Sequence, residues 1–185
     1  MGKPGQKILR AREKVLEILE SENACTAWYR EKDPFPAATF RTLGFALDGK
    51  GEEFVRESRD FGATIIFRNP YVARVFQADG PYGTVTLNVN GAFFYSLARV
   101  VELRKEGGPS DFRGARLLQV GPYTGDTLPA QVIALLHELG HVLDLLPADQ
   151  DDHEGKSLKN TQEVLRHCRS VVESNLKRNT LNANR

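Results

Sequence analysis

The chain predicts an α+β domain: a small twisted sheet packed against one apolar helix, with a further helix after it. Three observations lead there. Segments with strand character gather between residues 62 and 120. A long apolar helical stretch follows at Leu128–Leu146, and a second helical pattern starts at Ser157. Several strands before an apolar helix, with a packing helix behind it, make a layered α+β arrangement in which the sheet covers one side of that helix.

Each element has a local reason. Gln6–Glu20 reads as a helix, with Ile8, Val15, Leu16, Ile18 and Leu19 in a loose apolar stripe. Asp33-Pro34-Phe35-Pro36 breaks any continuation, and Phe40–Leu47 fits a short helix or a strand. Gly62–Phe67 and Tyr71–Phe76 read as strands separated by Arg68-Asn69-Pro70. After a turn at Gly80–Gly83, Thr84–Val89 alternates apolar residues with Thr and Asn, the pattern of a half-buried strand. Ala92–Lys105 reads as a helix through Phe93, Leu97, Val100, Val101 and Leu103, ended by Gly107-Gly108-Pro109. Arg116–Val120 reads as a strand. Thr127 can cap the next helix, with Pro129 in its first turn. Ser157 caps the last helix, whose apolar positions are Leu158, Val164, Leu165, Cys168, Val171 and Val172. A single domain over residues 1–176 and a polar tail over 177–185 follow from this layout.

The most informative segment is His137-Glu138-Leu139-Gly140-His141. Two histidines four residues apart on a helix lie one turn above each other, so both imidazoles can reach one divalent metal. The carboxylate beside the first can take a proton from a water activated there. At 100° per residue, Val132, Leu135, Leu136, Leu139, Val142, Leu143 and Leu146 cluster on one side, and His137 and His141 fall almost opposite. A histidine in an apolar helix is more commonly a hydrogen-bonded core residue, but these two do not share the core face. No Lys or Arg occurs from Leu128 to Leu146, so the histidine face is expected to be covered or to line a cleft.

At these residues, including Gly140 before the second histidine, the chain resembles the zincin metallopeptidases. The resemblance implies a zincin-like domain, a bound zinc ion, and a peptide or protein substrate hydrolysed through zinc-activated water. His137 and His141 would be ligands and Glu138 the general base. It also implies an exposed strand that binds the substrate backbone by strand addition, for which Thr84–Val89 is the candidate. One branch of the family continues the motif to a glycine and a third histidine, but Asp144 and Pro147 stand there. Another supplies a glutamate from an Asn-Glu pair on a later helix, whereas Asn160 is followed by Thr161. The segment Asn160–Cys168 is similar to a stretch of a bacterial zincin-like group. A non-catalytic zinc-binding or regulatory module that keeps the zincin shape is the alternative reading. Retention of Glu138 favours catalysis, since a purely structural zinc has no use for a base there.

Four residues compete to be the third ligand. Asp149 is preferred, because it follows Pro147 where the chain can fold back beneath the site. Glu163 and His153 come next. Glu163 competes with an ordinary i,i+4 pairing to His167, and His153 sits in an acidic loop. Asp144 is last: seven residues beyond His137 it lies about 10.5 Å along the axis, which suits support of His141 better than ligation. Tyr71, Tyr82, Tyr123 and His167 are equally placed as oxyanion stabilisers, so none is assigned.

Composition bounds the rest. Among 185 residues, 25 Lys and Arg balance 24 Asp and Glu, so no global field draws nucleic acid. No apolar run has the length of a membrane span. Met1–Lys7 lacks the apolar core of a secretory signal; a cytoplasmic location is the default expectation, and a secreted one stays open if a signal has been removed. Cys25 and Cys168 are expected within bridging range. Two buried free thiols are favoured over a disulfide, which would add roughly 4–5 kcal/mol if unstrained.

Overall fold

Pro4 stands in the first turn of helix α1 (Lys3–Leu19), where its missing N–H costs no intrahelical bond. The computed structural model describes residues 2–51, 53–58, 64–103, 109–149 and 155–182. Ala11, Val15, Ile18 and Leu19 are the buried stripe of α1. Helix α2 (Ala24–Arg30) is capped by Asn23, whose side chain accepts from the Thr26 N–H at 2.9 Å. Thr26 in turn donates to the Ile18 carbonyl at 2.7 Å and ties the two helices together. Helix α3 (Pro36–Thr42) starts where the prolines allow, and strand β1 (Gly44–Asp48) follows at once. The ambiguous stretch Phe40–Leu47 is therefore both a helix end and a strand.

A four-stranded antiparallel sheet of order β2-β3-β6-β7 comprises β2 (Glu53–Ser58), β3 (Thr64–Pro70), β6 (Leu97–Leu103) and β7 (Pro109–Leu117). It corrects two expectations. Arg68–Pro70 does not separate strands but completes β3. Ala92–Lys105 is not a helix: a turn at its start buries Phe93, and β6 then pairs with both β3 and β7. The helical spacing of its apolar residues lost to β-branched Val100 and Val101, which suit a strand flanked on both sides. Gly62, Arg104 and Lys105 lie outside the described residues.

The sheet nearest the histidines is small, with β4 (Ala73–Arg74) and β5 (Thr84–Asn88) completing the order β1-β5-β4. β1 runs parallel to β5, and β4 antiparallel to it. Alternation sets the faces of β5: Val85 and Leu87 are buried while Thr84 is exposed. The strand expected over Tyr71–Phe76 is reduced to two residues. A hairpin of β8 (Gln119–Val120) and β9 (Tyr123–Thr124) then leads to helix α4 (Leu128–Val142).

Every residue of α4 from Ala130 to Val142 is buried. The helix is the core of the molecule, packed by α1, by α5 (Lys156–Asn182), by β4 and by the β8–β9 hairpin. A helix covered on all sides has no place for Lys or Arg, which accounts for their absence. Thr127 occupies the N-cap position without capping; its hydroxyl donates to the Thr124 carbonyl at 2.6 Å. Ser157 lies inside α5 rather than at its cap, and α5 continues to Asn182 through most of the segment read as a polar tail. No helix among the described residues is long and apolar enough to cross a membrane.

Cys25 and Cys168 form a disulfide with a Cα separation of 4.4 Å, joining α2 to α5. Their approach matches expectation; the preference for free thiols does not. Both sit at zero exposure on faces that pack together, so the two sulfurs meet where sequence spacing alone does not bring them.

Candidate metal centre

The end of α4 decides the site. The chain leaves the helix after Val142, five residues before Pro147, with Asp144 in the left-handed region at φ 54°. The Leu145 and Leu146 amides both donate back to the Gly140 carbonyl, at 2.9 and 3.2 Å. Leu146 is therefore not on the helix but folds against it, buried over Gly140. The reversal carries Asp149 under the two histidines.

Asp149 Oδ2 lies 3.0 Å from His137 Nε2, and its Oδ1 3.1 Å from His141 Nε2. The two Nε2 atoms are themselves 3.0 Å apart. One ligand atom from each of the three residues falls within 4.8 Å of the others. This donor set fits a divalent metal. Only one proton can sit between two imidazole nitrogens, whereas a cation satisfies both lone pairs and the carboxylate together. Two histidines and one carboxylate are also the three-ligand type that leaves a position open in catalytic zinc sites.

The surroundings fix each group. His137 Nδ1 is 3.1 Å from Thr161 Oγ1, and Asn160 Nδ2 donates to Asp149 Oδ2 at 3.1 Å and to the Pro147 carbonyl at 2.8 Å. Tyr29, fully buried, donates to the Leu136 carbonyl at 2.6 Å, one residue before the first histidine. Glu138 is 4% exposed and takes a hydrogen bond from the Val75 backbone beside β4. Burial raises its carboxyl above the ordinary range, and this outweighs the opposing pull of His137 and His141. For His141 burial acts downward, but its hydrogen bond to Asp149 and the charges of Asp149 and Glu138 leave it raised. Burial acts upward on Asp149, yet the two histidines hold it well below the usual carboxylate range.

The site opens into a cleft of about 290 Å³ lined by His137, Glu138, His141 and Asp149 and by β4. Among the described residues, β4 is the edge strand of its sheet. Thr84–Val89, expected as the substrate-binding strand, is instead the central strand β5, flanked by β1 and β4. The two-residue length of β4 hid the edge from pattern reading.

The remaining candidates part company with the site. Glu163 pairs with His167 at 3.3 Å and with Arg166 at 3.2 Å, the surface arrangement its spacing also allowed. Asp144 accepts from Gln77 Nε2 at 2.6 Å and gives His141 no support; that ring bonds the Leu146 backbone. His153 lies outside the described residues. Of the four oxyanion candidates, Tyr71 alone lines the cleft, and its hydroxyl donates to Asp48 at 2.7 Å. Tyr123 bonds Glu173, His167 stacks on Trp28, and Tyr82 is 80% exposed.

Asn160 and Thr161 carry no role in the sequence analysis beyond failing the Asn-Glu pattern and opening the segment Asn160–Cys168. A signal was present. Asn160, Val164, Cys168 and Val172 are spaced four apart and all buried, with Thr161 beside them. Two polar residues therefore head the core stripe of α5, and buried polar groups require partners. Neither a family model, nor a curated protein, nor a solved structure matches the chain.

Proposed function

We propose that this chain is a zinc-dependent peptidase with a zincin-like active site. One observation carries the reading: Asp149 and the two Nε2 atoms converge beside buried Glu138 in a cleft bordered by an edge strand. His137, His141 and Asp149 would hold the metal. When bound, zinc supplies a Lewis acid for the scissile carbonyl and lowers the pKa of water toward neutrality. Glu138 is the base that takes the proton of the attacking water and hands it to the leaving amine. Its raised carboxyl suits it to carry that proton between the two steps. An extended peptide adding beside β4 would lie along the cleft and orient the scissile bond there.

The disulfide supports a setting outside the reducing cytosol, such as a periplasmic or extracellular one. The test is the metal content of protein purified without added metal, in wild type and His141→Ala, followed by exposure of the zinc-loaded wild type to a broad peptide library. One zinc per chain that is lost in the variant, together with cleavage, supports the proposal. Full zinc without cleavage of any peptide would move the assignment to a non-catalytic zinc-binding module.

A further inference from the structure

We infer that Thr161 and Asn160 are positioning residues for the ligand set, Thr161 by selecting the tautomer of His137 and Asn160 by fixing the Asp149 carboxylate; the inference rests on the zinc reading above. The two are consecutive on α5, 8% and 4% exposed, and each spends its polar group on a different ligand residue. An imidazole that binds through Nε2 must carry its proton on Nδ1. Thr161 Oγ1, 3.1 Å away, is placed to accept that proton's hydrogen bond. Without the hydroxyl, the Nδ1–H is buried and unsatisfied, and moving the proton to Nε2 removes the lone pair needed for ligation.

Asn160 acts on the other ligand. Its single amide group spans Pro147 and Asp149, so the backbone and the carboxylate of that short segment are held from one point. Oδ2, the oxygen Asn160 grips, is also the one closest to His137 Nε2. The amide thereby sets the rotation of the carboxylate relative to both histidines. Helix α5 contributes no ligand of its own among the described residues, yet it orients two of the three.

The test uses full-length protein stripped of metal. Zinc affinity is measured by competition with a chromophoric chelator for wild type, Thr161→Val, Thr161→Ser and Asn160→Leu. The visible spectrum with cobalt(II) and the melting point of each metal-free form are recorded alongside. Thr161→Val and Asn160→Leu should each lose about 10–100-fold in affinity, the usual effect of removing such outer partners. Both should alter the cobalt spectrum, while Thr161→Ser restores wild-type binding. If Thr161→Val or Asn160→Leu melts far below wild type, the other variant carries the same comparison. Wild-type affinity in both would overturn the inference while leaving the metal site intact, and so would a Thr161→Ser as weak as Thr161→Val. Absence of zinc binding by wild type, or binding unchanged in His141→Ala, would instead remove the zinc reading and this inference with it.

Discussion

Leu146 rests on Gly140 so closely that a Cβ at position 140 would stand 2.6 Å from its Cδ1. This contact ties the His137–His141 motif to Asp149, the proposed third ligand. Because position 140 has no side chain, the chain can turn back over the helix, and the turn delivers Asp149. Alanine at an exposed mid-helix position is worth about 1 kcal/mol more than glycine. Here the sign should reverse. Gly140→Ala should destabilise the protein by about 1–3 kcal/mol, as overpacking does, and should weaken zinc binding by displacing the Leu146–Asp149 segment. Thermal melting and chelator competition would check both. A variant that melts higher and binds as wild type would show that Leu146 yields without moving Asp149.

The ligand assignment separates two carboxylates. Asp149→Ala should lose zinc affinity by at least the 10–100-fold typical of outer-sphere changes, since it removes a donor rather than a donor's partner. Glu163→Ala should bind zinc as wild type, because its contacts are Arg166 and His167 on the surface of α5. Calorimetric titration of both distinguishes them, and the reverse order would shift the third ligand to Glu163.

How much of this was legible follows from range. The motif residues are four apart in sequence, and helical geometry alone brings His137 above His141. Asp149 was also within reach, because Pro147 cannot lie in a helix interior and the residues after it must return, although the helix ends earlier, after Val142. Thr84–Val89 was legible as a strand, since Val85 and Leu87 alternate with polar residues, but not as central or edge. That depends on a two-residue partner, β4, too short to leave a periodic trace. Ala92–Lys105 misled because its apolar residues satisfy helical spacing, while its true partners lie in β3 and β7, far along the chain. The approach of Cys25 and Cys168 was legible from the two helices' apolar stripes, but their bonding was not, because 143 residues separate them and spacing alone does not set sulfur geometry.

Tyr29 tests how firmly the motif helix is braced. Its hydroxyl reaches the Leu136 carbonyl at 2.6 Å from a fully buried position, and burial holds the phenol well above its ordinary pKa and hence neutral. Tyr29→Phe keeps the ring and removes the bond. The expected loss is about 0.5–1.5 kcal/mol, the net value of one such interaction. A denaturant midpoint lowered at unchanged slope would record it. No loss would mean that the carbonyl is satisfied within the helix alone.

The disulfide should matter more. It fastens α2, which carries Tyr29, to α5, which carries Asn160 and Thr161, so both braces of the site depend on one bond. Cys25→Ala with Cys168→Ala should cost about 2–5 kcal/mol of stability. Zinc affinity should fall in parallel, because a looser α5 no longer holds His137 and Asp149. Melting curves and chelator competition, each with and without reductant on the wild type, would show this. Stability lost with zinc affinity untouched would confine the bridge to a structural role.

Glu138 provides the sharpest test of catalysis. Its carboxylate is buried, bonded to the Val75 backbone and adjacent in sequence to His137, yet it is not part of the convergent donor set. Gln in its place has the same shape and keeps an oxygen to accept the Val75 N–H, so fold and metal site should survive. What it cannot do is take up and release a proton. Glu138→Gln should therefore hold one zinc per chain, melt close to wild type, and cleave peptides at least about 100-fold more slowly, the usual minimum for loss of a general base. Turnover would be measured under saturating substrate, with zinc quantified in the same samples. Cleavage by Glu138→Gln at the wild-type rate would eliminate Glu138 as the base, whatever the metal content.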